Sequence, residues 1–210
     1  MFNKLLIIGC GLIGSSILRG CINKKISKKI FVFEKSKKNI SKIKKINSKI
    51  IILKKLDKKI ADIDLVVVST PMSEYQKIIP ILNKFLTNKS IITDVGSTKE
   101  NILNLINKKL NKSLTWILSH PISGSEVSGP QFGNKNLFLN KWCILIKDKN
   151  KNNLKKISKF WKILGSKVII MDPRKHDEIF ALTSHLPHLI AYNLIKTAQD
   201  FQKKTKKKYN

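Results

Sequence analysis

Arginine is almost missing from this chain. Of 42 Lys and Arg residues only Arg19 and Arg174 are arginines, and acidic residues number just 13, for a formal net charge of +29. Such a charge would ordinarily point to nucleic acid or an anionic membrane. Specific nucleic-acid readers, however, lean on the bidentate guanidinium, and these lysines are scattered over helix faces without interleaved aromatics. Alanine is scarce as well, while Lys, Ile and Asn abound, which looks like a genome biased to A and T codons. A nucleic-acid or membrane partner is therefore not expected. The field can still draw in an anionic substrate and cofactor.

Cysteine is also sparse. Cys10, Cys21 and Cys143 form no C-x-x-C pair, and an odd count does not suggest a disulfide framework; reduced, buried thiols in a cytoplasmic protein are expected. Long apolar runs are missing too. The run before Gly9 is too short for a signal-peptide core, and nothing approaches a membrane span. Internal repeats and low-complexity linkers are absent. What remains is a 210-residue chain, 42% hydrophobic, able to bury a core as one domain, or as one domain plus part of a second.

The most informative segment is Leu5 to Gly14, an apolar strand running into G-x-G-x-x-G. That pattern has weight when a helix follows and an acidic residue ends a second strand about 20 residues on. Ser15 to Asn23 supplies the helix and Ile30 to Glu34 the strand. Gly9 allows the tight turn, Gly11 lets the backbone approach a pyrophosphate, and Gly14 lets helix and strand pack closely. Free N–H groups around Leu12 and Ile13 then face the phosphates at the positive end of the helix dipole. Glu34 can accept hydrogen bonds from ribose hydroxyls and repel a 2′-phosphate, which favours NAD over NADP, although Lys35 and Lys37 stand nearby. The bland alternative is an accidental glycine turn in another α/β protein.

Short β-rich runs alternate with helical patterns along the chain, arguing for α/β architecture: a Rossmann-type doubly wound, mostly parallel sheet followed by the start of an all-helical domain. Strands are expected at 5–8, 30–33, 50–53, 65–69, 90–93, 115–118, 142–146 and 167–170. Ser73 with Gln76 and Ser97 with Glu100 fit capping boxes. Asp172-Pro173 provides an N-cap and an N1 proline, and continuous helix follows, so the boundary is placed between a nucleotide-binding domain, 1–171, and a helical domain beginning at 172–210.

Sites in such sheets lie at the carboxyl ends of the strands. Three polar loops fall there: Ser69-Thr70-Pro71, Asp94-Val95-Gly96-Ser97-Thr98-Lys99, and the stretch from Ser119 to Gly129. His120, ahead of a Gly/Ser-rich loop, is a candidate general base, against the commoner structural role of a lone histidine. Ser97 is either an N-cap or a catalytic hydroxyl, or both. His176 shares a helix face with Ile179, Phe180 and Thr183. His185 and His188 flank Pro187 in a helical stretch capped by Ser184, where proximity to a helix N-terminus keeps an imidazole neutral. No carboxylate or thiolate completes a ligand set around them, so no metal is expected.

Together, Gly9-Cys10-Gly11-Leu12-Ile13-Gly14-Ser15-Ser16, Asp94 to Lys99, His120-Pro121-Ile122-Ser123-Gly124-Ser125-Glu126 and Ser184-His185-Leu186-Pro187-His188 resemble the prephenate/arogenate dehydrogenase family of tyrosine biosynthesis. The resemblance implies oxidation at C4 of a cyclohexadienol by NAD with loss of the ring carboxylate, the substrate being prephenate or arogenate. It implies His120 as the base on the C4 hydroxyl, Ser97 orienting that pair, and Thr70-Pro71 presenting a cofactor face. Ser125 and Glu126 would line the pocket, and His176, His185 and His188 would hold substrate or ordered water. It also implies a helical domain that forms a homodimer. The family continues into further helices with a substrate-binding Arg that has no counterpart before Asn210, so that domain is expected to be truncated. Ser123 stands where Ala is common. A β-hydroxyacid or imine-reducing dehydrogenase would instead centre on a lysine, and a non-catalytic NAD-binding module would retain the glycine loop alone.

Overall fold

Alternation along the first strand divides the core in two. β1 (Phe2–Ile8) sends Leu5 and Ile7 to one side of the sheet and Leu6 and Ile8 to the other, all four buried, as in a strand covered on both faces. β2 (Ser27–Phe33), β3 (Ile51–Leu53), β4 (Leu65–Val68), β5 (Ile91–Asp94) and β6 (Thr115–Ile117) complete a parallel sheet in the order β3-β2-β1-β4-β5-β6. The computed structural model describes residues 2–208.

On the Leu5 and Ile7 side lie α1 (Leu12–Asn23), α2 (Lys37–Lys44) and α5 (Lys151–Ile163), which contribute Ile17, Leu18, Ile43, Phe160 and Trp161. On the other side lie α3 (Tyr75–Phe85) and α4 (Glu100–Lys109), with Ile78, Ile79, Leu82, Ile102 and Ile106. Strand order reverses between β1 and β4, and the loops after these strands open the crevice in which doubly wound sheets bind ligands.

The last strands depart from the single sheet expected. The chain breaks at Leu118, and a short β7 (Ser119–Pro121) pairs antiparallel with β8 (Trp142–Ile146), which pairs parallel with β9 (Lys167–Met171) in a separate three-stranded sheet. The local cause is the end of β5: Asp94 takes the Ser119 amide into its carboxylate at 3.0 Å, which draws the chain out of the main ladder. Pro121 suits a strand at a sheet edge.

Three expected helix starts also differ. Neither Ser73 nor Ser97 caps a helix: α3 begins at Tyr75 after a 3-10 turn, α4 begins at Glu100, and neither has a local side-chain cap. Ser184 is no cap either. α6 (Pro173–Phe180), capped by Asp172, runs through a π-helical turn (Ala181–His185) into α7 (Leu186–Lys208) without a break. Pro187 has no N–H to give, and the wider π turn accommodates that gap in the ladder. His185 and His188 thus lie inside a continuous helix, and the helix-terminus argument for their neutrality falls away. Leu186, Leu189, Ile190 and Leu194 are all exposed on α7. Among the described residues no helix is long and apolar enough to cross a membrane.

Gly14 shows how tightly α1 seats on the sheet. A Cβ there would lie 2.3 Å from the Gly9 carbonyl oxygen and 2.7 Å from Ser69 Oγ. Gly14→Ala must therefore push the helix outward, and an overpacking penalty of roughly 1–3 kcal/mol is expected. Urea unfolding should show it as a lower midpoint with unchanged slope.

Candidate active site

The glycine loop is built as a cradle. Gly9 adopts φ +82°, and a Cβ on it would strike Thr70 Cγ2 at 2.7 Å, whereas a Cβ on Gly11 would meet nothing within 4 Å. One glycine is needed for the turn and for contact with the β4 loop; the other faces open space. α1 starts at Leu12 with no side-chain cap at Gly11, so the first-turn N–H groups, those of Leu12 and Ile13 included, have no intrahelical partner. Glu34, at the end of β2, is tied down by the Cys10 amide at 2.8 Å and the Ser36 amide at 2.9 Å. Its oxygens keep further lone pairs for a ribose. Glu34, Thr70 and Pro71 line one cleft of about 810 Å³ with Gly9 and Gly11. Thr70 Oγ1 is buried there with no hydrogen-bond partner. These features fit a dinucleotide: close packing where it needs support, open backbone at the phosphates, and an unused hydroxyl beyond.

His120 occupies the middle of β7, paired with Ile144 of β8, so a second sheet holds it, not the end of a main-sheet strand. Its Nδ1 lies 2.9 Å from Nε2 of His176, and His176 Nδ1 lies 2.7 Å from Oδ1 of Asp177. His176 is fully buried and packs on Phe180, as does His120, with ring centroids 4.6 and 4.9 Å away. A carboxylate only accepts, so the chain has one consistent polarity. His176 donates from Nδ1 to Asp177, its Nε2 accepts from Nδ1–H of His120, and the lone pair of His120 is left on Nε2.

Asp177 has a second duty. Its carboxylate accepts from the Lys99 amide at 2.8 Å and the Glu100 amide at 2.9 Å, capping α4 in place of Ser97. Partial burial pushes its pKa up, but the Glu100 amide, His176 and the Lys99 amide outweigh that and leave it lowered. Burial lowers His176 against the pull of Asp177. His120 is pushed down to about 3, first by burial and then by the charges of Lys99, His176 and His185, with Asp177 opposing.

The other expected site residues are placed less tightly. Ser97 is half-buried and makes no side-chain hydrogen bond among the described residues. Ser125 and Glu126 are exposed on the loop after β7, where Ser123 Oγ is buried and unpartnered. His185 and His188 are exposed, with His188 Nδ1 donating to the Ser184 carbonyl at 2.6 Å. His176, expected to hold substrate or ordered water, has both ring nitrogens engaged by His120 and Asp177 and is sealed from solvent. Asp177 and Lys99 were not singled out by the sequence. Among the described residues no group of three or more His, Cys, Asp and Glu side chains is arranged to hold a metal ion.

Burial of a neutral His120 makes the fold sensitive to acid. The unfolded chain protonates His120 near 6.5 and the folded chain near 3, so U binds more protons between those values and stability falls as pH drops through that window. Relative to His120→Asn, the wild type should lose at most about 1.4 kcal/mol per pH unit there, measured by urea unfolding across the range. A constant difference between the two proteins would contradict the buried neutral imidazole.

Comparison with known proteins comes down on one family. Residues 20–170 match the model of the prephenate dehydrogenase nucleotide-binding domain, and residues 172–210 that of the prephenate dehydrogenase dimerization domain. A cyclohexadienyl dehydrogenase of Zymomonas mobilis is 29% identical over 98% of this chain and 71% of its own length. A prephenate dehydrogenase of Lactococcus lactis is 30% identical over 95% of this chain, which spans only 55% of that protein. The crystal structure of A. aeolicus prephenate dehydrogenase in complex with hydroxyphenyl propionate and NAD+ superposes with a TM-score of 0.85 at 30% identity, covering 94% of this chain and 69% of that one.

Proposed function

The chain belongs to the prephenate dehydrogenase family, and on that premise we propose that it carries out the NAD-dependent oxidative decarboxylation of prephenate to 4-hydroxyphenylpyruvate, or of arogenate to tyrosine, in tyrosine biosynthesis. The observation that carries this reading is the Asp177–His176–His120 chain, which leaves a neutral imidazole whose Nε2 is not taken up by that chain.

Gly9, Gly11, Gly14 and the N–H groups at Leu12 and Ile13 hold the pyrophosphate, Glu34 the adenosine ribose, and Thr70 and Pro71 the nicotinamide end. When bound, NAD accepts the hydride that leaves C4. Nε2 of His120 takes the C4 hydroxyl proton as the C4 carbonyl forms. The resulting imidazolium donates to His176, and the Asp177 carboxylate stabilises it at one remove. An anionic substrate beside His120 raises the proton affinity of the ring just when a base is needed. Loss of the ring carboxylate as CO2 then leaves its bonding electrons to complete the aromatic ring. Ser97 orients the hydroxyl, while His185, His188, Ser125 and Glu126 contact the remainder of the substrate. The exposed apolar face of α7 is the surface we assign to a second copy of the chain, and the free buried thiols accord with a cytoplasmic setting.

The test is NADH formation with prephenate and with arogenate, together with NAD affinity by calorimetry. His120→Asn is expected to lower kcat by about 10²–10⁴-fold with NAD affinity unchanged. NAD binding without oxidation of either compound would show a binding module instead.

A further inference from the structure

Lys99 is among the largest fully buried side chains in the molecule and, in a surface crowded with lysines, one that never reaches water. Its Nζ donates to Asp94 Oδ2 at 2.8 Å and to the Ser119 carbonyl at 2.6 Å. Asp94, equally buried, accepts from the Ser119 amide at 3.0 Å, the Gly96 amide at 3.0 Å and the Tyr75 hydroxyl at 3.2 Å. The Ser119 hydroxyl bonds the Asp94 carbonyl and faces Thr93 Oγ1 at 3.0 Å. The residue before His120 is therefore gripped by its amide, its carbonyl and its hydroxyl. Lys99 also holds the other side of the site, since its own amide donates to Asp177.

A buried pair of this kind carries a heavy desolvation cost, and a hydrophobic replacement of equal volume is often as stable or more so. Stability alone does not account for a lysine here. We propose that Lys99 is a positioning residue for the proposed dehydrogenation: one end of it anchors the strand that carries His120, and the other anchors the carboxylate behind His176, so that base and relay keep a single alignment. This rests on the assignment of His120 as the base. The ammonium also acts on His120 directly. The groups facing that ring are His176 and Asp177 from α6, His185 from the π turn and Lys99 from the start of α4, with Asp94 and Cys143 around Lys99 itself. Burial lowers the Lys99 pKa while the Asp94 carboxylate opposes that, and the field of its ammonium disfavours the His120 imidazolium.

The experiment compares Lys99→Met with the double variant Asp94→Asn, Lys99→Met, which removes the partner charge so that no lone carboxylate is left buried. The readouts are the NMR titration of the His120 ring, NAD affinity by calorimetry, and kcat and KM for prephenate and arogenate. In Lys99→Met the His120 ring should titrate at a pH higher by about 1 or more, because a cation is lost and the Asp94 carboxylate stays; in the double variant the rise should be smaller. In both, kcat should fall about 10–100-fold, as expected for a misaligned base, with NAD affinity and KM within about twofold. Wild-type titration and kcat in either folded variant would overturn the proposal. So would failure of both variants to fold, which would make the pair a purely structural one. Should the wild type oxidise neither compound, the functional assignment fails, and the titration still decides whether Lys99 governs the ring.

Discussion

The carboxylate of Asp177 joins two parts of the molecule that have no chain continuity near one another. On one side it closes the first turn of α4, 77 residues earlier in sequence, by accepting the Lys99 and Glu100 amides; on the other it accepts from His176. A helix start leaves unpaired N–H groups that need an acceptor, and a buried imidazole needs a partner for each nitrogen. One side chain meets both needs. Docking of α6 against the start of α4 and the tautomer of His120 are therefore consequences of the same few hydrogen bonds.

Beneath that contact the buried Lys99 and Asp94 do for the strand what Asp177 does for the helix. Seen together, β5, the start of α4, β7 and α6 meet around His120, each held by a polar contact and none by apolar packing alone. Phe180 supplies the packing, closing over both imidazoles. The arrangement resembles a histidine and carboxylate pair extended by one ring. The carboxylate is separated from His120 by the His176 ring, through which the orientation it imposes is passed on.

Much of this was legible in the residues. The glycine loop, the strand ending in Glu34 and the loops at the strand ends follow from local periodicity and turn chemistry, and the structure brings the glycine loop, Glu34 and Ser69-Thr70-Pro71 into one cleft. The parts that were not legible share a physical cause. Ser97 with Glu100 has the spacing of a capping box, yet the cap comes from Asp177, because a distant carboxylate accepts two amides at once where a serine accepts one. Nothing near Asp177 in sequence announces that partner. Ser119 to Pro121 looked like the start of a loop because three residues ending in proline carry no strand signal; pairing with β8 is a tertiary event. His176 does fall on the apolar face, as its spacing with Ile179, Phe180 and Thr183 indicates, but only the fold shows that His120 lies across from it. Lys99 closes the Asp94 to Lys99 motif, but among dozens of lysines nothing in the sequence marks that its ammonium is buried.

Asp177 and His176 dictate which nitrogen of His120 carries the proton. Two-bond 1H–15N correlation spectroscopy of the histidine rings, recorded on the folded chain near pH 7.5, reads this directly. His120 is expected to be protonated on Nδ1 with an unprotonated Nε2, and His176 likewise on Nδ1. A His120 ring protonated on Nε2 would contradict that polarity, since the Nδ1 lone pair would then face the lone pair of His176 Nε2.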